Sequence, residues 1–515
     1  MLTEQQQAVV DAAVTGTNLV VEAGAGTGKT TTMVSVAEAL APKRMIYTAF
    51  TRAMVDEAGM KMLHLPSVSC LTIHQIAFRA SAFPFRDRLN ARGIWWNRVA
   101  SKVLTHLDLG TLPDARGELL RLDAKWVHLI ARDAVANYMQ SDDWEITEWH
   151  ISIPRTIPRD YWDQLKSRIL PIAREVWDDY TNPDGQLPFV HDVYLKLYQL
   201  AERRSPTLHR TYDVAIIDEA QDVSDVMLSI FDSQPDTMQK IVVGDSAQAI
   251  FEWNGAKNSL AQFRAQGWPM LPLTNSFRFG PIVADAANAV LDRMPGMELR
   301  IVGAGAEPSE IIEYDDPTRV PNAVLCRTNA SVIEQTIRYV ALGLKVSAVV
   351  DTVKLQKWAR AAKDLMAARP TDFVELAAFR NWRQAVDFSK TDLADPDFVG
   401  MVKLLEKHGP ATLESIDDMC VPESQAEVVV ITGHKAKGRE WDHVKVAEDF
   451  TDGRLGGPGV VNSKGEPVPV NLEEHRLFYV ALTRCRKTVD VSESTAFDLF
   501  SGGMPLVPVS GPLGL

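Results

Sequence analysis

Residues Ala23 to Thr30 read A-G-A-G-T-G-K-T. A short apolar run, Asn18 to Glu22 (N-L-V-V-E), stands before them, and a segment with helical spacing from Lys29 to Leu40 follows. That order predicts a buried strand, a glycine-rich turn and a helix. Gly24, Gly26 and Gly28 let backbone N–H groups turn toward phosphate oxygens, and the helix N-terminus adds positive potential. Lys29 is placed for the β- and γ-phosphates of a nucleoside triphosphate, and Thr30 for a Mg²⁺ ion. The nucleotide-binding stretch is therefore read as Ala23, Gly24, Ala25, Gly26, Thr27, Gly28, Lys29, Thr30 and the adjoining Thr31.

Working outward, Ile216 to Asp222 reads I-I-D-E-A-Q-D at the end of another apolar run. Two adjacent carboxylates at a strand end repel one another unless a cation is near. Asp218 is the candidate Mg²⁺ ligand, and Glu219 the base that orients the attacking water. Further strands are expected at Arg44–Ala49, Asp213–Asp218 and Lys240–Asp245. Apolar runs of this length, each ending in a polar residue, suit parallel strands whose C-terminal ends line a crevice.

The stretch from about Arg86 to Arg210 differs, with mostly helical spacing and seven of the 12 tryptophans. It reads as a helical insertion whose tryptophans (Trp95, Trp96, Trp126, Trp144, Trp149, Trp162, Trp177) pack a core. A second α/β region runs from about Ser276 onward, with strands at Ala323–Arg327 and Glu427–Thr432. About Leu355 to Cys420 is a second, mixed and helical insertion, and Gly502 to Leu515 a loosely ordered Gly/Pro-rich tail.

A chain of 515 residues with 46% hydrophobic and 23% charged residues has a globular composition and is long enough for several domains. The net charge is −13, which argues against a basic DNA-coating protein but leaves room for a local groove. Residues 1–210 carry 24 basic and 24 acidic side chains, and residues 211–515 carry 30 and 43. The acidic excess thus lies wholly in the second part, so a groove built from stacking and a few placed contacts fits better than a broad basic face. Cys70, Cys326, Cys420 and Cys485 are scattered, which excludes a disulfide framework and a cysteine-held zinc and fits a reducing cytoplasm. Neither a signal peptide nor a membrane span is read in the chain, so a cytoplasmic location is expected.

At this point the chain resembles superfamily 1 DNA helicases of the UvrD/Rep type. Leu2 and Gln6 resemble the Q motif, Tyr47–Met54 motif Ia, Leu71–Phe78 motif Ib and Val243–Ala256 motif III. Leu273–Gly280 (L-T-N-S-F-R-F-G) resembles motif IV, Thr432–Val444 motif V and Leu477–Lys487 motif VI. The S-F-R-F-G and H-K-A-K-G strings are similar to the F-box DNA helicase branch, although no F-box segment is read here. The resemblance implies an α/β fold of two RecA-like P-loop NTPase domains, each with a mainly helical insertion. The implied boundaries are 1–85 plus 205–275 for the ATP-binding domain and 86–204 for its insertion. The second domain would take 276–354 plus 421–500, its small insertion 355–420, and the tail 501–515.

The resemblance also implies roles. Arg278 and Arg484 match arginines that reach the γ-phosphate from the second domain, and Gln248 the glutamine that senses it. Gln6 matches the reader of the adenine edge, Phe277 the aromatic stacked on adenine, and Glu440 a residue near the ribose. Phe50, Phe251 and Trp253 match platforms along single-stranded DNA, while Thr51, His74 and His434 match polar DNA contacts. Asn254 stands where these enzymes usually carry a basic residue, and Thr31 where some relatives have an arginine. The implied activity is ATP-dependent, 3′-to-5′ translocation on single-stranded DNA with unwinding of tailed duplex. The cofactors are ATP and Mg²⁺, the implied partners replication or recombination proteins, and the hinge lies near Leu271–Asn275. A nucleic-acid-stimulated ATPase that remodels protein–DNA complexes without processive unwinding is the alternative.

Overall fold

The apolar runs fold into parallel sheets because each is buried on both faces. The computed structural model describes residues 2–49, 51–91, 96–113, 117, 119–155, 157–250, 259–314, 319–371, 373, 375–391, 394, 396–462 and 465–501. Packing divides the chain into two units. The first holds Met1–Ala23, Lys29–Leu273 and Asp351–Asp418; the second holds Gly24–Gly28, Thr274–Val350 and Met419–Leu515.

In the first unit, β1 (Leu19–Ala23), β2 (Met45–Thr48), β3 (Val68–Cys70), β4 (Val214–Ile217), β5 (Gln239–Gly244) and β6 (Met270–Leu273) pair in parallel. Among the described residues their order is β3-β2-β4-β5-β1-β6. Every residue of β1, β2, β4 and β5 is buried, as a sheet covered on both faces requires. The order sets β2, β4, β5 and β1 side by side. Their C-terminal ends lead into Ala49, Asp218, Asp245 and Gly24, so the crossovers gather the sequence motifs along one sheet edge.

Helix α1 (Glu4–Val14) starts at a capping box of Thr3 and Gln6. Helix α2 (Lys29–Leu40) spans the residues expected from sequence and turns Met33, Val36, Ala37 and Leu40 onto β1. Helix α3 (Ile73–Ser81) carries a second capping box, Thr72 with Gln75. Between β3 and β4 lies the helical insertion, with α4 (Ala124–Gln140), α5 (Trp162–Thr181) and α6 (Asp192–Arg204). Val127, Ile130 and Ala134 of α4 meet Ile169, Ala173 and Val176 of α5 in one core. Helix α6 gives Val193 to that core and Leu195 and Tyr198 to the core under the sheet, which ties insertion to sheet.

The tryptophan expectation needs correction. Trp126 is buried, and Trp96, Trp162 and Trp177 pack against the same core. Trp144 and Trp149 do not pack it: they are 44% and 91% exposed. Trp95 lies outside the described residues. The stretch Asp351–Asp418, with α7 (Thr352–Met366) and α8 (Pro396–His408), groups with the first unit, and its Ala378 joins the insertion core.

The second unit has its own parallel sheet. Its strands are β7 (Glu310–Ile312), β8 (Ala323–Cys326), β9 (Val346–Val349), β10 (Val428–Thr432), β11 (Trp441–Val446) and β12 (Cys485–Asp490). Among the described residues the order is β7-β12-β11-β8-β10-β9. Helix α9 (Leu472–Leu482) is buried from Glu474 to Leu482 and leads directly to Arg484. The stretch Leu271–Asn275, expected to act as a hinge, contains the boundary between the two units. Leu271–Leu273 pair with Val21–Ala23 in the sheet, so the chain leaves the first unit only at Thr274. The expected tail from Gly502 onward lies outside the described residues, and no described helix is long and apolar enough to cross a membrane.

Candidate active site

The first unit concentrates charge at its sheet edge. Gly26 and Gly28 hold φ of +74° and +79°, a left-handed backbone that explains glycine at those two places. Lys29 opens α2 and sets its Nζ 3.3 Å from Glu219 Oε1. Burial alone favours the neutral amine, but the carboxylates of Glu219, Asp245 and Asp218 outweigh it and hold the pKa above the ordinary lysine value. Asp218 follows β4, accepts the Tyr47 hydroxyl, and accepts the Glu219 N–H at 2.8 Å. Its pKa is raised to about 6, chiefly by burial and then by the charge of Glu219.

Glu219 adopts φ +52°, ψ +43°, a left-handed conformation that costs a non-glycine residue about 1–2 kcal/mol. That turn keeps its carboxylate beside Lys29 while Gln221 Nε2 donates to its other oxygen at 2.5 Å. Such a conformation persists only where surrounding contacts hold it. Gln248 donates from Nε2 to Asp245 Oδ2 at 2.6 Å, so the Gln248 amide is aimed by a buried carboxylate.

Three residues here escaped the sequence reading: Tyr47, Glu22 and Asp245. Glu22 ends an otherwise apolar strand and accepts from Ser246 N at 2.8 Å and Ser246 Oγ at 2.9 Å. The signal was a lone carboxylate inside V-V-E-A, and for Asp245 a polar end to I-V-V-G-D. Burial, and then the charge of Asp245, raises the Glu22 pKa to about 7. The folded chain therefore keeps this proton at a pH where the unfolded chain has lost it. The associated stability is full below the ordinary glutamate value and is lost as pH rises through about 7. The nucleotide-free protein should thus weaken between about pH 5 and pH 8, by about 1–3 kcal/mol for this group. Urea unfolding of the parent and Glu22→Gln at both pH values checks this: the variant should show the flatter dependence, and equal slopes would refute it.

The donor set fits a magnesium ion bound mainly through phosphates and water. Asp218, Glu219 and Asp245 crowd one ammonium group, so a further cation would relieve their repulsion. Among the described residues no cluster of three or more His, Cys, Asp or Glu side chains forms a ready cage. Mg²⁺ characteristically takes only one or two protein ligands, and Thr30 and Asp218 are the candidates.

In the second unit, Arg278 donates from Nε to Glu440 Oε2 at 2.7 Å and from Nη1 to the Thr483 carbonyl at 2.9 Å. Glu440, expected near a ribose, is thus an ion-pair partner of Arg278, with Arg486 Nη1 3.7 Å from its other oxygen. Arg484 is 2% exposed. It donates from Nε to the Val480 carbonyl at 3.0 Å and from Nη2 to Thr483 Oγ1 at 3.1 Å. Phe277 is 48% exposed and lines a cavity of about 380 Å³ with Arg278, Glu307, Asp442, Arg486 and Lys487. One aromatic face beside paired charges can stack a base and hold its polar edge. His434 is half-buried; burial, and then the nearby Arg327, lowers its pKa to about 4, so it is a neutral hydrogen-bonding imidazole at physiological pH.

The remaining expected residues are more dispersed. Gln6 accepts the Thr3 N–H at 3.0 Å and so holds the start of α1. Thr31 is exposed on α2. Thr51 caps a helix at Arg52–Lys61 by accepting the Met54 N–H at 3.3 Å. His74 pairs through Nε2 with Asp192 at 3.1 Å and meets Tyr194 edge-on. Phe50, Phe251, Trp253 and Asn254 lie outside the described residues.

Comparison with known proteins covers most of the chain. Residues 5–254 match the model of an AAA domain, and residues 311–495 that of the UvrD-like helicase C-terminal domain. The chain is 26% identical to F-box DNA helicase protein 1 of Schizosaccharomyces pombe, an alignment covering 96% of this chain and 57% of that protein. It is 26% identical to F-box DNA helicase 1 of Gallus gallus, covering 96% of this chain and 49% of that one. The chain therefore spans about half the length of the curated relatives it matches.

Proposed function

Because the chain belongs to the UvrD-like helicases of superfamily 1, with two RecA-like domains, we propose that it is an ATP-dependent DNA helicase that moves 3′ to 5′ along single-stranded DNA. The observation that carries this reading is the buried group of Lys29, Asp218, Glu219 and Asp245 at one sheet edge. Lys29 would neutralise β- and γ-phosphate charge, and Glu219 would take the proton of the attacking water. Thr30 and Asp218 would hold a Mg²⁺ ion, which would further neutralise the phosphates. Arg278 and Arg484 would meet charge at the γ-phosphate, Arg484 exchanging its carbonyl partners to do so. Gln248, aimed by Asp245, would report the γ-phosphate to the strand-binding segments. Those segments hold Phe50, Thr51, His74, Phe251, Trp253 and His434. Replication or recombination proteins are the proposed partners.

A duplex with a single-stranded tail at either the 3′ or the 5′ end tests activity and direction together. Unwinding with ATP from the 3′ tail alone is the expected result. Unwinding from the 5′ tail alone would reverse the polarity. Strong DNA-stimulated hydrolysis with no strand separation on either substrate would instead favour a remodeller of protein–DNA complexes.

A further inference from the structure

The insertion between β3 and β4 carries a loop, residues 141–150, that reads S-D-D-W-E-I-T-E-W-H. Its backbone is fastened from below. Lys196, with no exposed surface, donates to the Ser141 carbonyl at 2.8 Å and the Asp143 carbonyl at 2.6 Å, and its Nζ lies 4.3 Å from the Tyr138 ring centroid. The Tyr138 hydroxyl donates to the Trp144 carbonyl at 3.0 Å, and Asn137 to the His150 carbonyl at 2.8 Å. Ile146 is the buried plug. A buried lysine and several other side-chain donors are thus committed to fixing one surface loop.

What this anchored loop itself presents is apolar and acidic, with Arg203 and Arg204 of α6 lying over the Trp144 ring. Trp149 is 91% exposed, and Trp144, 44% exposed, lies under the Arg203 guanidinium at 4.4 Å. Trp144 and Arg203 border a cavity of about 370 Å³ that also takes in Asp142, Asp225, Asp232 and Ser229, three carboxylates to one guanidinium. Gln199 on α6, fully buried, donates to Ser229 Oγ at 3.0 Å and so braces one wall of it. Rigid tryptophans give large contact area with little ordering entropy and dominate interface energetics. The carboxylates of Asp142, Asp143, Glu145 and Glu148 on the same loop repel a phosphate backbone, so the surface does not suit DNA.

We propose that the loop 141–150 is a docking site for a basic segment of a partner protein, with Trp144 and Trp149 as apolar anchors and an arginine or lysine entering beside Asp142, Asp225 and Asp232. The proposal stands apart from the ATP-hydrolysing role, because none of these residues belongs to that site.

The test uses the full chain and three fluorescently labelled twelve-residue peptides, one arginine-rich, one neutral and one glutamate-rich, followed by anisotropy. The arginine-rich peptide should bind saturably and the other two should not. Trp149→Ala and Asp142→Asn should each weaken binding at least ten-fold while DNA-stimulated ATP hydrolysis stays at the parental rate. Trp149 is almost wholly exposed, so its replacement leaves the fold intact. Equal binding of all three peptides, or unchanged binding by both variants, overturns the proposal. Concentration-dependent self-association abolished by Trp149→Ala also overturns it, since the occupant would then be a second copy of the chain.

Discussion

Replacing Lys29 by alanine is expected to lower DNA-stimulated ATP hydrolysis about 100- to 1,000-fold, the usual effect of removing one group that meets transition-state charge. A second effect precedes any chemistry. In the nucleotide-free chain Lys29 is the ammonium 3.3 Å from Glu219 and close enough to Asp218 and Asp245 for their charge to raise its pKa. Removing one partner of a buried charge group typically costs about 3–5 kcal/mol. Asp218 already titrates at about 6 with Lys29 present, and loss of the ammonium pushes it higher. A carboxyl whose folded pKa is raised gives stability that is full below its unfolded value and lost as pH rises through the folded value. The deficit of Lys29→Ala should therefore be large near pH 8 and small near pH 5. Lys29→Arg, which keeps a cation, should recover most of the stability and little of the rate. Hydrolysis by Lys29→Ala at the parental rate would remove this lysine from the reaction.

The fold was legible wherever backbone pattern alone decides it. The run before Ala23, the glycines and the helix at Lys29–Leu40 needed only period and loop chemistry, and α2 begins and ends on the residues expected. What escaped depends on pairings between distant parts of the chain. Glu440 and Arg278 are 162 residues apart, and no spacing rule announces their 2.7 Å contact. Arg484 reads from its motif as a cation reaching outward, yet it lies buried against carbonyl and hydroxyl oxygens at the end of α9. A helix C-terminus leaves its last carbonyls without intrahelical partners, and a neighbouring arginine satisfies one of them. Glu22 and Asp245 were hidden by the apolar runs they terminate. Trp144 and Trp149 defeated the general preference of tryptophan for cores because buried donors on α4 and α6 hold their loop at the surface.

Glu219→Gln should separate binding from chemistry. The amide keeps the volume of the side chain and the left-handed turn at φ +52°, so ATP should still bind, while loss of the proton acceptor should slow hydrolysis about 100- to 10,000-fold. The substitution also changes its neighbours in a measurable direction. The charge of Glu219 is the second cause, after burial, of the raised Asp218 pKa. Without it, Asp218 should titrate lower and keep its negative charge to more acid pH, which favours a divalent cation there. The variant should thus hold MgATP at least as firmly as the parent, and ATP should keep it in one grip on single-stranded DNA because the cycle cannot advance. Single-turnover hydrolysis and equilibrium nucleotide binding, measured on the same preparation, read the two effects apart. Weak binding with normal turnover would make Glu219 a ligand-holding residue instead of the base. Normal binding with normal turnover would move the base to a neighbouring carboxylate. Asp245 is the first to test, because it already aims Gln248 and shares the field of Lys29.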